Sequence, residues 1–142
     1  MASIVGVLEQ LRPANVSRMH RWHADADSIK VPEGTWTGAD WGNAMGGECG
    51  EAQNIVKKLR CHETHLGDSY NTPDIETLHA ALAEELADVV CYADLLAHHY
   101  GIDLCAAVVA KFNHTSKAAG FPERLYKTPR LPYGLYSVEP LT

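Results

Sequence analysis

The sequence predicts an all-α domain. Apolar residues recur every three or four positions along four stretches, no alternating run is long enough to build a sheet, and Gly and Pro punctuate the connections between those stretches. The 142 residues and 46% apolar content suit one domain with a real core. Its helical part is expected over about 15–120, followed by an extended arm over about 121–142.

The first helix is expected at Val16 to Ala26, with Asn15 as its cap, and it ends in the loop Asp27 to Asp40, where Pro32, Gly34 and Gly38 break the periodicity. Asp40 then caps a second helix from Trp41 to about Cys61. After a polar connection containing Gly67, Asp68, Ser69 and Asn71, Thr72 is expected to cap a third helix with Pro73 in its first position. That helix reaches about Tyr100, where Gly101 stops it. A fourth runs from about Ile102 to Ala119, before Gly120 and Pro122. Beyond lie Pro129, Pro132 and Pro140 interleaved with Tyr126, Tyr133 and Tyr136, which predicts an extended arm, mobile or wrapped on a neighbouring subunit.

A net charge of −6 argues against non-specific binding to nucleic acid, which needs a basic face. A small phosphorylated ligand held through divalent cations is compatible with that charge. Met1 to Leu11 lacks the basic and apolar regions of a signal peptide, and no run has membrane-spanning length, so a cytoplasmic location is expected. Cys49, Cys61, Cys91 and Cys105 form no C-x-x-C pair and read as reduced core thiols.

Carboxylates placed where helices should be apolar carry the functional signal. On the second helix Trp41, Ala44, Met45, Ala52, Ile55, Val56 and Leu59 form one stripe, and Glu48 falls near its middle, with Glu51 one turn on. On the third, Leu78, Leu82, Leu86, Val89, Ala93 and Leu96 share a face that Glu85 and Asp88 border. An ionised acid is costly to bury unless paired, protonated or bound to metal. Members of E-x-x-E and E-x-x-D pairs project from one side of a helix, so two such helices face to face would gather four oxygen ligands, the donor set preferred by Mg²⁺ or Mn²⁺. A single pair spaced this way is ordinary surface patterning; two inside apolar stripes are not.

The run W-G-N-A-M-G-G-E-C-G-E-A-Q-N-I-V-K-K-L, then E-E-L-A-D-V-V-C-Y and later K-F-N-H-T-S-K-A-A-G-F-P-E-R, resembles the MazG-type all-α nucleoside triphosphate pyrophosphohydrolases across roughly residues 15 to 125. The sequence departs from that family's usual pattern in carrying Gly47 before the first acid and in the 33 residues between Glu51 and Glu85. The resemblance implies a four-helix MazG-like bundle that assembles as a homodimer or homotetramer. It also implies cleavage of a (d)NTP to (d)NMP and pyrophosphate, with two or three Mg²⁺ ions held by Glu48, Glu51, Glu85 and Asp88, Mn²⁺ being able to substitute. Glu48 is the first choice to orient or deprotonate the attacking water and Glu51 the second, while Glu84, adjacent to Glu85, is expected in solvent.

Lys57, Lys58, Lys111 and Lys117 are the lysines available for phosphates, Asn54 for support of the metal shell, and Asn113 for a substrate contact. Arg21, Trp22, His23, Trp36 and Tyr92 are candidates to meet the base, which needs an aromatic face and a hydrogen-bonding edge. The resemblance favours the phage branch acting on dGTP and GTP. The alternatives are a house-cleaning enzyme of broad or pyrimidine preference, and a regulatory bundle that binds nucleotide without turnover. H-E-T-H at His62 to His65 is one residue short of the zincin spacing and reads as polar loop, with His98 and His99 at an exposed helix end. No H-D dipeptide occurs, and the acid pairs lack the E-x-x-H of di-iron bundles.

Overall fold

The computed structural model describes residues 4–24, 36–64 and 72–126, except the side chains at 4–6, 8 and 22–24. Four helices and no strand occur among the described residues: α1 Ile4–Ala24, α2 Gly38–Glu63, α3 Ile75–His99 and α4 Leu104–Ala118. None is long and apolar enough to cross a membrane.

α2 and α3 pair along their length, and α1 packs on α3. Heptad spacing explains the first pairing. Trp41, Glu48, Ile55 and His62 recur every seventh residue on α2, as do Leu78, Glu85 and Tyr92 on α3, which keeps each set on one seam. The Trp41 and Tyr92 ring centroids are 6.5 Å apart, carboxylate oxygens of Glu48 and Glu85 come within 4.8 Å of each other, and His62 Nε2 donates to the Pro73 carbonyl at 2.8 Å. Each seven-residue step forward on α2 is thus a step back on α3, an antiparallel register that sets buried Ile55 opposite buried Leu78. Trp36 extends the aromatic end, its ring 4.4 Å from that of Trp41.

The helix ends differ from expectation for identifiable reasons. α2 starts at Gly38 because Thr37 and Asp40 form a capping box, Asp40 being the third helical residue rather than the cap. The Thr37 hydroxyl and backbone N–H both donate to Asp40, lowering its pKa from 3.8. Asp74 caps α3 in place of Thr72 and is likewise lowered, chiefly by the Thr77 backbone N–H. Asp103 caps α4. The C-terminal glycines behave as expected: Gly101 (φ 66°) and Gly120 (φ 73°) take the left-handed conformation, and Ile102 N–H to Ala97 O and Phe121 N–H to Ser116 O, each 2.8 Å, close Schellman turns.

The largest correction concerns α1. Asn15 does not cap a helix at Val16; it lies buried inside α1, 3% exposed, because its side chain is taken by α3. Asn15 Nδ2 donates to the Cys91 carbonyl at 2.8 Å and to Asp94 Oδ2 at 3.3 Å, and Arg12 Nε meets Asp94 Oδ1 at 2.7 Å. These contacts run α1 antiparallel to α3. Arg12 Nη2 also donates to the Ile102 carbonyl at 3.3 Å, tying in the α3–α4 turn. α4 packs on α1, not along the α2–α3 pair.

The stripes are narrower than expected. Val56 and Leu86 are 51% and 53% exposed, whereas Leu95 and Ala97 join the core. Glu48 and Glu85 are half-buried, while Glu51 and Asp88 are exposed with Glu84. The four cysteines are in no disulfide among the described residues and are half-buried rather than core. His62 and Glu63 belong to α2 rather than a loop, and His65 lies outside the described residues. In the arm, Phe121 to Tyr126 has no regular structure, and residues 127–142 lie outside the described residues, as does most of the expected loop, 25–35.

Removing one partner of a largely desolvated ion pair strands the other charge. Arg12→Ala, which leaves the Asp94 carboxylate on Asn15 alone, is expected to cost about 3 kcal/mol. Urea denaturation checks this, and an unchanged midpoint would contradict the role given to the pair.

Candidate metal centre between the second and third helices

Glu48 and Glu51 sit one turn apart on α2, and Glu85 faces them from α3. One carboxylate oxygen from each lies within 4.8 Å of the others. Around a hard cation with bonds of about 2.1 Å, neighbouring oxygens of an octahedral shell stand about 3 Å apart and opposite ones about 4 Å. The three carboxylates therefore come close to the spacing of such a shell, and their oxygen donors are the type that could hold one Mg²⁺ or Mn²⁺.

The electrostatics agree with unneutralised like charge. The Glu85 pKa is raised from 4.5, first by desolvation, then by Glu51, by a hydrogen bond with Glu48, and by the charges of Glu48 and Asp88. Glu85 thus takes up a proton more readily than a solvated glutamate. A cation between the helices would remove that repulsion and displace the proton.

Asp88 is not in the trio. One turn beyond Glu85, it lines a cavity of about 120 Å³ with Glu48, Arg18, Cys91, Tyr92 and Leu95. Glu48 belongs to both features, so the cavity opens beside the carboxylate cluster. The Tyr92 pKa is raised, mainly by desolvation and then by Glu48 and Asp88. The chain matches no protein-family model, no curated protein and no solved structure.

The remaining candidates divide by helix. Tyr92 lines the cavity, and Trp36 reaches it through Trp41. Asn54 is exposed one turn past Glu51, Lys58 is half-buried two turns past it, and Lys57 is exposed. Lys111 and Lys117 are exposed on α4, which packs on α1, so the element contacts do not carry them to the trio. Asn113 spends its carboxamide on the arm: Nδ2 donates to the Leu125 carbonyl at 2.8 Å and Oδ1 accepts from the Leu125 N–H at 2.7 Å. Arg21 is exposed on α1, and the side chains of Trp22 and His23 lie outside the described residues.

Arg18 was not among the residues singled out from the sequence. It donates through Nη2 to Asn15 Oδ1 at 3.1 Å and lines the cavity from α1. The i,i+3 spacing of Asn15 and Arg18 was a legible signal, but its meaning needs Asp94 and Cys91, far away in sequence. A larger cavity of about 370 Å³ lies where α1 meets the α3–α4 turn, between Glu9, Arg12, Asp94, His98 and Asp103. Its Arg12 and Asp94 are engaged with each other, and no candidate metal cluster falls there among the described residues.

A carboxyl whose folded pKa is raised contributes stability that is full below its unfolded value and lost as pH rises through the folded one. Metal-free Glu85→Gln is therefore expected to be more stable than the parent chain at neutral pH, the difference closing as pH falls through the raised pKa toward 4.5. Denaturation midpoints across pH, with chelator present, check this, and a variant less stable than the parent at neutral pH would contradict it.

Proposed function

We propose that this protein is a metal-dependent nucleoside triphosphate pyrophosphohydrolase of the MazG-like kind, cleaving a (d)NTP, with dGTP and GTP preferred, to the monophosphate and pyrophosphate. The observation that carries the proposal is the convergence of Glu48, Glu51 and Glu85 from two helices, with one oxygen of each within 4.8 Å of the others. A set of oxygen ligands with no sulfur or imidazole suits a hard divalent cation.

Water is the nucleophile. Its oxygen forms a bond to the α-phosphorus as the bond from that phosphorus to the α,β-bridging oxygen breaks, and pyrophosphate leaves with the electron pair. Bound Mg²⁺ supplies charge neutralisation of the phosphate oxygens and a lowered pKa for the attacking water. Glu48, Glu51 and Glu85 hold it, and Asp88 adds negative charge beside them. Glu48, half-buried and shared between the cluster and the cavity, orients the water and accepts its proton, with Glu51 next in line for that role. The aromatic end of the helix pair, Trp36, Trp41 and Tyr92, offers the base an apolar face.

Assembly into a homodimer or homotetramer belongs to the same proposal. Val108 and Phe112 on α4 and Leu86 and Val90 on α3 form exposed i,i+4 apolar pairs, and no described side chain is less than 2% exposed. A core this open gains from burial against a second copy.

Incubation with Mg²⁺ and each common (d)NTP is expected to yield monophosphate and pyrophosphate, fastest with dGTP and GTP. Alanine at Glu48, Glu51 or Glu85 is expected to lower turnover by at least on the order of 10²-fold, with the helical circular dichroism retained. Nucleoside diphosphate plus phosphate as products, or full turnover by the alanine variants, would overturn the proposal. Metal-dependent binding without turnover would favour a regulatory bundle, and a pyrimidine optimum would move the base preference.

A further inference from the structure

The seam divides the α2–α3 pair into two unlike sides. Three residues past the seam glutamates stand Glu51 and Asp88, both exposed, and the cavity that Asp88 and Leu95 share with Arg18 puts α1 on this side. One residue past a seam position is a turn of about 100° in the opposite sense. There stand Val56 on α2 and Leu86 on α3, 51% and 53% exposed, and Ile75 and Val90 extend the α3 row, 48% and 42% exposed. In an antiparallel pair, equal rotations from the seam lead to the same side, so the two rows form one face. Its middle, Cys49, Ala52 and Val56 with Leu82, Leu86 and Val90, carries no charge. Arg60 and Glu63, joined at 3.2 Å, stand at its rim.

We propose that this face binds a second copy of the chain across a two-fold axis, the two α2–α3 pairs lying back to back with their carboxylate clusters turned outward. Three observations select a second copy. The face is two helices wide, about 20 Å, and about 22 Å long from Ile75 to Val90. That is on the order of 400 Å² in projection and more in accessible area, large for the free surface of a monomer and approaching the roughly 800 Å² per partner of a stable interface. The face also has no charge with which to select an acidic or basic partner. Two chains of net charge −6 repel, and joining them here adds no acid to the contact while Glu51 and Asp88 stay on the far sides. Finally, two antiparallel helix pairs stacked about a two-fold close into a four-helix bundle, in which each apolar row meets its symmetry equivalent. Val108 and Phe112 on α4 offer a single helix row, too narrow for such a bundle. The pairing is independent of the reaction, but it bears on the site. A second copy covers the seam behind Glu48 and Glu85, so that layer is reached from the cavity side.

Sedimentation equilibrium of the full chain tests this. The parent is expected to form a dimer, or an assembly built from one, at micromolar concentration. Leu86→Ala is expected to raise the dimer Kd at least about tenfold. Leu86→Lys and Val56→Lys, at positions already on the surface of one copy, are expected to sediment as monomers with parental circular dichroism. Phe112→Lys, on α4, is expected to keep the two-copy unit. A monomeric parent overturns the assignment, as does a parental Kd in Leu86→Ala, retained pairing in both α2 and α3 lysine variants, or dissociation to monomers by Phe112→Lys. If the lysine variants unfold, the Kd of Leu86→Ala decides. A monomeric parent that cleaves triphosphates removes this interface and leaves the functional reading; a dimer disrupted as described but without turnover does the reverse.

Discussion

Two glutamates facing each other across a helix seam are the constraint on which the rest of the structure depends. Glu48 and Glu85 occupy seam positions that Trp41 and Tyr92 fill at one end and Ile55 and Leu78 in the other direction. In those neighbouring layers the seam gains apolar burial; in the glutamate layer it meets desolvation and like charge. Desolvation pushes Glu85 toward its protonated form, Glu51 adds repulsion from the adjacent turn, and Glu48 adds more from across the seam. A divalent cation relieves all three effects together, so the feature least favourable to packing is the one best suited to chemistry.

α1 converts that seam into a three-sided site. It is joined to α3 by polar contacts, Arg12 to Asp94 and Asn15 to Asp94 and the Cys91 carbonyl. Among the described residues no buried side-chain nitrogen or oxygen lacks a hydrogen-bond partner. Directional contacts of this kind specify one rotation of α1 about its axis, whereas apolar contacts tolerate several. The chosen rotation places Arg18 on the cavity that Glu48 and Asp88 share.

Much of the helical order was legible because it is written locally. Gly101 and Gly120 terminate α3 and α4 through backbone conformations that glycine favours, and the 3.6-residue periodicity locates α2, α3 and α4. The acid pairs were legible for the same reason, since i,i+3 spacing is a property of one helix. What escaped was long-range. Asn15 has the local character of a cap, yet buried partners on α3 recruit it, so α1 continues through it from Ile4 to Ala24 despite Pro13. Val56 and Leu86 carry the right periodicity but face outward, because the seam admits a narrower stripe than either helix offers. Asp88 has the spacing of a fourth ligand, but the relative rotation of α2 and α3 sets only Glu85 against Glu48 and Glu51.

The central claim is that these three glutamates hold one hard cation between two helices. Anomalous diffraction from crystals grown with Mn²⁺ tests it most directly. A Mn²⁺ peak bounded by carboxylate oxygens of Glu48, Glu51 and Glu85, at about 2.2 Å from each, is the predicted result. Well-ordered crystals with these carboxylates in place and no peak between them, or with Mn²⁺ bound only elsewhere, would contradict it.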